Sequence, residues 1–135
     1  MKHTGYKWVK EMPRQLFRVT QEHKASYSYS LIAETGDEAK VGNEDPEMPG
    51  WYWCTDVKGV NAWVPKTYLE IYGDTAVFNQ PYNSVEHNAQ PGEIMQYLGE
   101  ALGWVECLNK EWKYGWIPAE KLEKIGEMKT PNFLS

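Results

Sequence analysis

Two stretches of this chain carry the same residues at the same spacing. Gly50-Trp51-Tyr52-Trp53-Cys54 leads to Trp63-Val64-Pro65 and on to Leu69-Glu70. Shifted by 53 positions, Gly103-Trp104-Val105-Glu106-Cys107 leads to Trp116-Ile117-Pro118 and Leu122-Glu123, with no gap. Upstream, Gly36-Asp37 resembles Gly92-Glu93. Three extra residues of the first repeat fall in the polar, Pro-containing run Gly42-Asn43-Glu44-Asp45-Pro46-Glu47-Met48-Pro49, which reads as a loop. An internal repeat limits the fold to two similar small bodies. The expected organisation is an extension over 1–16, one repeat over 17–71, a second over 75–125 and a tail over 126–135. Each repeat is about 50 residues, near the lower limit for an independent core. Tyr72-Gly73-Asp74 is the whole linker, and three residues reach about 10 Å at most.

Inside each repeat the pattern is one of short strands. Alternation puts Trp51 and Trp53 on one face and Tyr52 and Cys54 on the other. In the second repeat Glu106 marks the solvent face, so Cys107, and Cys54 by analogy, point inward as small apolar fillers. Asp56-Val57-Lys58-Gly59 and Asn109-Lys110-Glu111 supply hairpin turns. Trp63-Val64-Pro65 and Trp116-Ile117-Pro118 are the returning strands, each ended by a Pro that has no amide for the ladder. Ala119 to Leu122 suits one helical turn. The fold class expected is all-β, as small barrels or sandwiches.

These elements, in this order, resemble the SH3 domain, twice. They are a turn ending in Gly-acid, a loop closed by Gly-Trp, a hairpin leading to an aromatic-aliphatic-Pro triplet, and an apolar residue four positions after the Pro. The pairing also resembles bacterial tandem-SH3 proteins of unassigned role. The resemblance implies two tandem five-stranded barrels and a peptide groove for Pro-rich, extended ligands, with an acidic loop for a basic residue of the peptide.

Carried over residue by residue, the resemblance implies a groove in the first repeat. Trp51 matches the groove Trp, Pro65 the groove Pro, and Tyr68 the Tyr three residues after it. Glu44, Asp45 and Glu47 lie in the loop beside the Trp, placed to receive Lys or Arg. The family's early aromatic stretch corresponds to Arg18-Val19-Thr20-Gln21-Glu22, which has no Tyr. Tyr27 and Tyr29 lie further along that loop as substitutes. The second repeat keeps Trp104 and Pro118, has Lys121 at the Tyr position, and retains Phe78, with Tyr82 as a second aromatic. His87 occupies a slot that is normally apolar. Trp53, Trp63 and Trp116 share outward strand positions and are expected at a domain–domain contact. Trp112 sits in a hairpin turn, exposed.

Composition narrows the partners. Fourteen Lys and Arg against 19 acids leave a net charge of −5, which disfavours nucleic acid and anionic membranes. Mean hydropathy is −0.67, and no apolar run suits a span or a signal peptide, so a cytoplasmic location is expected. The two cysteines are not a disulfide scaffold. His3, His23 and His87 lack metal spacing, so neither metal nor cofactor is expected. No nucleophile elbow, P-loop or dinucleotide fingerprint is present, and no enzyme activity is expected. Two function classes remain. The first is a non-enzymatic interaction module binding Pro-containing or extended, basic peptides, mainly through the first repeat. The second is a structural or assembly protein whose aromatic faces are buried between repeats or in a homo-oligomer. An aromatic cage for methylated ammonium groups is a third idea, without a pattern to place it.

Overall fold

The computed structural model describes residues 14–128. Most of the expected extension, 1–13, and of the expected tail, 129–135, lies outside the described residues. Twelve short strands and two single 3-10 turns make up what is described, an all-β architecture. Strand alternation sends Cys54 of β4 (Trp51–Asp56) and Val105 and Cys107 of β10 (Trp104–Leu108) to one face of their strands, while Trp51 and Leu108 are buried on the other face.

The strands form two units that cross the expected boundaries at 17–71 and 75–125. Unit 2 spans Ala25–Glu86 and Glu100–Trp104; unit 1 takes the described residues up to Lys24, His87–Gly99, and those from Val105 on. Unit 2 is built on a five-stranded sheet in the order β5 (Asn61–Pro65), β4, β3 (Glu38–Glu44), β7 (Thr75–Phe78), β6 (Leu69–Tyr72). The unit 1 sheet runs β11 (Tyr114–Pro118), β10, β9 (Ile94–Ala101), β1 (Arg14–Val19), β12 (Leu122–Met128). The first strand of each repeat therefore completes the sheet of the other. β7, from the second repeat, pairs with β6 and β3, while β1, from the first, pairs with β12 and β9.

The exchange is reciprocal down to single hydrogen bonds. Gly36 N–H donates to the Phe78 carbonyl and Phe78 N–H to that of Asp37; in unit 1, Gly92 N–H donates to Val19 and Val19 N–H to Glu93. Asn79 N–H donates to the Tyr68 carbonyl, as Thr20 N–H does to that of Lys121. The supposed linker explains the arrangement. Tyr72 pairs with Thr75, which leaves Gly73-Asp74 as a two-residue hairpin turn. Gly73 has a φ of 66°, the left-handed conformation that such turns require of their first residue. A turn this tight sends β7 straight back along β6, so β7 and not β1 holds the first-strand position of unit 2.

Unit 1 has a core of Phe17, Val19, Ala89, Met95, Val105, Cys107 and Ile117, with Tyr97 and Leu122 against it. Unit 2 buries Leu31, Ala39, Cys54, Val64, Ala76 and Phe78. Both cysteines are fully buried. Burial pushes the Cys54 thiol up to about 11 and that of Cys107, with Glu106 adding, up to about 12, so both stay protonated fillers. Trp116 departs from expectation. It is 2% exposed although its neighbour Ile117, on the opposite face of the strand, is the one that joins the core, and every residue of β11 from Gly115 to Pro118 is buried.

Candidate functional site

The expected groove of the first repeat lies in unit 2, and it is closed. Cross-strand register sets Trp51 opposite Pro65. Trp51 is only 5% exposed, Tyr68 is 8% exposed, and Pro65 is fully buried. The Trp51 indole N–H donates to the Leu102 carbonyl at 2.9 Å, and its ring meets Trp104 edge-on at 6.1 Å. Trp104 is half-buried. It is thus the partner of Trp51 and does not form a groove with Pro118, which is buried in unit 1.

The aromatics missing from the first repeat come from the second. β7 brings Phe78 into unit 2, and Tyr82 follows on β8 (Tyr82–Asn83), which pairs with β2 (Ile32–Ala33). Tyr82 lies 5.0 Å from Tyr68, edge-on, and 6.1 Å from Phe78, stacked. Its hydroxyl donates to the Trp63 carbonyl at 2.8 Å. Sequence order alone places Phe78 and Tyr82 in the second repeat. The Gly at the first position of a two-residue connection was the signal that β6 and β7 form a hairpin.

Tyr27 and Tyr29 do not substitute in that groove. They sit on an exposed strip of rings. Tyr29 is 5.5 Å from Tyr27, Tyr27 is 5.8 Å from Trp53, and Trp53 is 5.1 Å from Trp63, its cross-strand partner. Tyr27 and Tyr29 are 40% and 48% exposed, and Trp53 and Trp63 are half-buried. Each tilted or edge-on pair contributes about 0.5–1.5 kcal/mol beyond burial, which holds the strip in one shape. Trp53 and Trp63 were expected at a domain contact. In unit 2 they line this strip instead.

The acidic loop mainly organises its own backbone. One Glu44 oxygen accepts from Gly50 N–H at 2.8 Å, and the other lies 3.5 Å from the Tyr52 hydroxyl. Asp45 accepts from Glu47 N–H at 2.9 Å. Glu44 and Glu47 are exposed and Asp45 is half-buried, so the loop still presents negative charge to solvent.

In unit 1 the place equivalent to Tyr68 and Tyr82 holds Lys121 and His23. The Lys121 ammonium donates to His23 Nδ1 at 2.9 Å, which makes that nitrogen the unprotonated one. His87, 5% exposed, faces the Cys107 carbonyl through Nε2 at 3.0 Å. Burial holds His87 below the ordinary histidine value, against the pull of the Cys107 carbonyl and Glu93. Among the described residues, no group of three or more His, Cys, Asp or Glu is placed to hold a metal ion, and no helix is long and apolar enough to cross a membrane.

Residues 16–72 match the family model of the variant SH3 domain. The match follows sequence order, so it includes β1, which pairs in unit 1. No solved structure gives a significant match to the chain. The match covers less than half of the chain, and together with the all-β sheets it supports an SH3-like fold over residues 16–72.

Proposed function

We propose that the protein is a non-enzymatic interaction module that docks an extended, Pro-containing peptide on the strip Tyr29–Tyr27–Trp53–Trp63 of unit 2. The observation that carries this reading is the continuity of those four rings at 5.5, 5.8 and 5.1 Å. Flat aromatic faces suit Pro rings, and a polyproline II segment advances about 3.1 Å per residue, so about five residues cover the strip. Such a segment is already extended and loses little entropy on docking. The net charge of −5 and the exposed Glu44 and Glu47 favour a peptide with a basic residue. The Trp51–Pro65–Tyr68 groove is structural in this reading, and binding shifts two residues along β4.

Titrating a Pro-rich peptide with one Arg into isotope-labelled protein tests this. Signals of Tyr27, Tyr29, Trp53 and Trp63 should move, with micromolar to near-millimolar affinity. Trp63→Ala should weaken binding by about 2 kcal/mol, roughly 30-fold, as an aromatic anchor would. Shifts confined to other residues, or none with a broad peptide library, would remove the reading.

The closure of Trp51 favours a second reading, an assembly protein whose aromatic faces serve structure and self-association. Light scattering separates the two. A concentration-dependent dimer that protects Trp53 and Trp63 supports assembly, and a monomer with both accessible supports the peptide module.

A further inference from the structure

Strand register fixes what surrounds the aromatic strip of unit 2. Trp53 and Trp63 face each other across β4 and β5, and Thr55 and Asn61 form the next pair on the same face. Thr55 is opposite Lys40 of β3, so Lys40 stands on the same face of the sheet as Trp53. Thr75 is opposite Lys40 on its other side. Toward the rings lies Gly42, which puts no side chain in the way: a Cβ built there would be 3.9 Å from Trp53 Cδ1. Glu38 shares the face as well, on the far side of Lys40 from Trp53. Lys40 is therefore the first charge along β3 on this side of the rings.

Unit 2 is rich in acids, and its cations are Lys40, Lys58 and Lys66. Lys58 lies in the hairpin turn after β4, and Lys66 in the 3-10 turn after β5. Lys40 is exposed, and among the described residues no carboxylate pairs with it. In the other direction β3 ends at Glu44, four residues from Lys40, or about 13 Å of extended strand. The rings thus have an unpaired cation on one flank and the exposed carboxylates of Glu44 and Glu47 on the other.

A polyproline II segment turns once every three residues. When one of its faces lays Pro on the rings, the other two overhang the flanks. We propose that the peptide docked on the strip is zwitterionic, with a carboxylate that reaches Lys40 and a Lys or Arg that reaches the Glu44–Glu47 loop. The proposal rests on the strip reading. It adds an acidic residue to the ligand, which the net charge of −5 alone would disfavour. Lys40 then selects among Pro-containing peptides that the rings accept alike.

The probes are four capped Pro-rich peptides that differ only in the two residues between their prolines: Glu-Arg, Arg-Glu, Ala-Arg and Arg-Ala. Each is titrated into the full chain. In at least one order the Glu peptide should bind about three- to fivefold more tightly than its Ala counterpart, the size of one exposed ion pair. Raising the salt to about 1 M should shrink that gain. The gain should vanish in Lys40→Gln and become a penalty in Lys40→Glu, whereas Lys58→Gln should leave it unchanged. Equal binding of Glu and Ala peptides in both orders would overturn the proposal, as would a gain that survives Lys40→Glu. The strip reading stands in either case if Trp63→Ala still weakens every peptide. Failure of all four peptides to bind would overturn both.

Discussion

At one topological position the two units hold opposite chemistry. In unit 2, Tyr68 meets Tyr82 ring to ring, with Phe78 stacked behind. In unit 1 the same place holds Lys121 against His23. Each pair draws one residue from each repeat, because the first strands are exchanged. Contiguous repeats would have set Tyr68 against His23 and Lys121 against Tyr82, two mixed pairs. Exchange sorts the aromatic residues into unit 2 and the polar ones into unit 1. Duplication supplied two similar frames, and strand exchange made their faces unlike. The aromatic strip belongs to unit 2, which is where the proposed docking lies.

The largest test of that contrast is Phe78→Ala. Phe78 lies in the second repeat by sequence but is 1% exposed in unit 2. Its truncation should cost about 3–5 kcal/mol. Residue-level hydrogen exchange should show lost protection in β3, β4 and β6. Loss starting in β9 to β12 would break the sorting. Next in size is Gly115→Ala in unit 1. A Cβ there would meet Cγ and Cδ2 of His87 at 3.0 Å and its backbone nitrogen at 3.1 Å, on a ring that is itself buried. Overpacking of about 1–3 kcal/mol should follow, read as a lower denaturation midpoint for unit 1 strands.

Acid should also distinguish the units, since the described residues of unit 2 include no histidine. His87 faces the Cys107 carbonyl, Glu93 and His23, and burial dominates, holding its folded pKa below the ordinary 6.5. The unfolded chain then takes up a proton first as pH falls. The stability from neutral His87 is present above pH 6.5 and is lost below it, with a slope of at most about 1.4 kcal/mol per pH unit. Urea midpoints of unit 1 probes should drop from about pH 7.5 to about pH 5, and His87→Gln should flatten that drop. The smallest effect belongs to Lys121→Ala, about 0.5–1.5 kcal/mol for one half-buried hydrogen bond, measured by thermal melting.

Much of the fold was legible in the sequence because strands announce themselves locally. The inward cysteines, both hairpins, the Pro-ended strands and the turn after each Pro follow from alternation and turn chemistry at neighbouring residues. Strand exchange was harder to see because pairing partners are non-local. Its one local trace, Gly73-Asp74, reads equally well as linker and as hairpin turn. The candidate site suffered from the same gap. Trp51 pairs with Pro65 across strands in unit 2, and both are buried, as is Tyr68. Their closure depends on Leu102, some 50 positions away, which no motif marked. Tyr27 and Tyr29 belong to an exposed surface, but beside Trp53, because the loop that carries them runs to a different part of the sheet. Trp116 is buried although Ile117 beside it is the core residue, because β11 is buried on both faces, which alternation alone does not announce.

Cross-strand nuclear Overhauser contacts between backbone protons test the central claim, reciprocal exchange of the first strands, most directly. The account predicts contacts between Leu69 and Phe78 and between Glu70 and Val77 in unit 2, and between Val19 and Leu122 and between Arg18 and Glu123 in unit 1. Contacts of Val19 with Leu69, together with contacts of Phe78 with Leu122, would contradict it and restore two contiguous barrels.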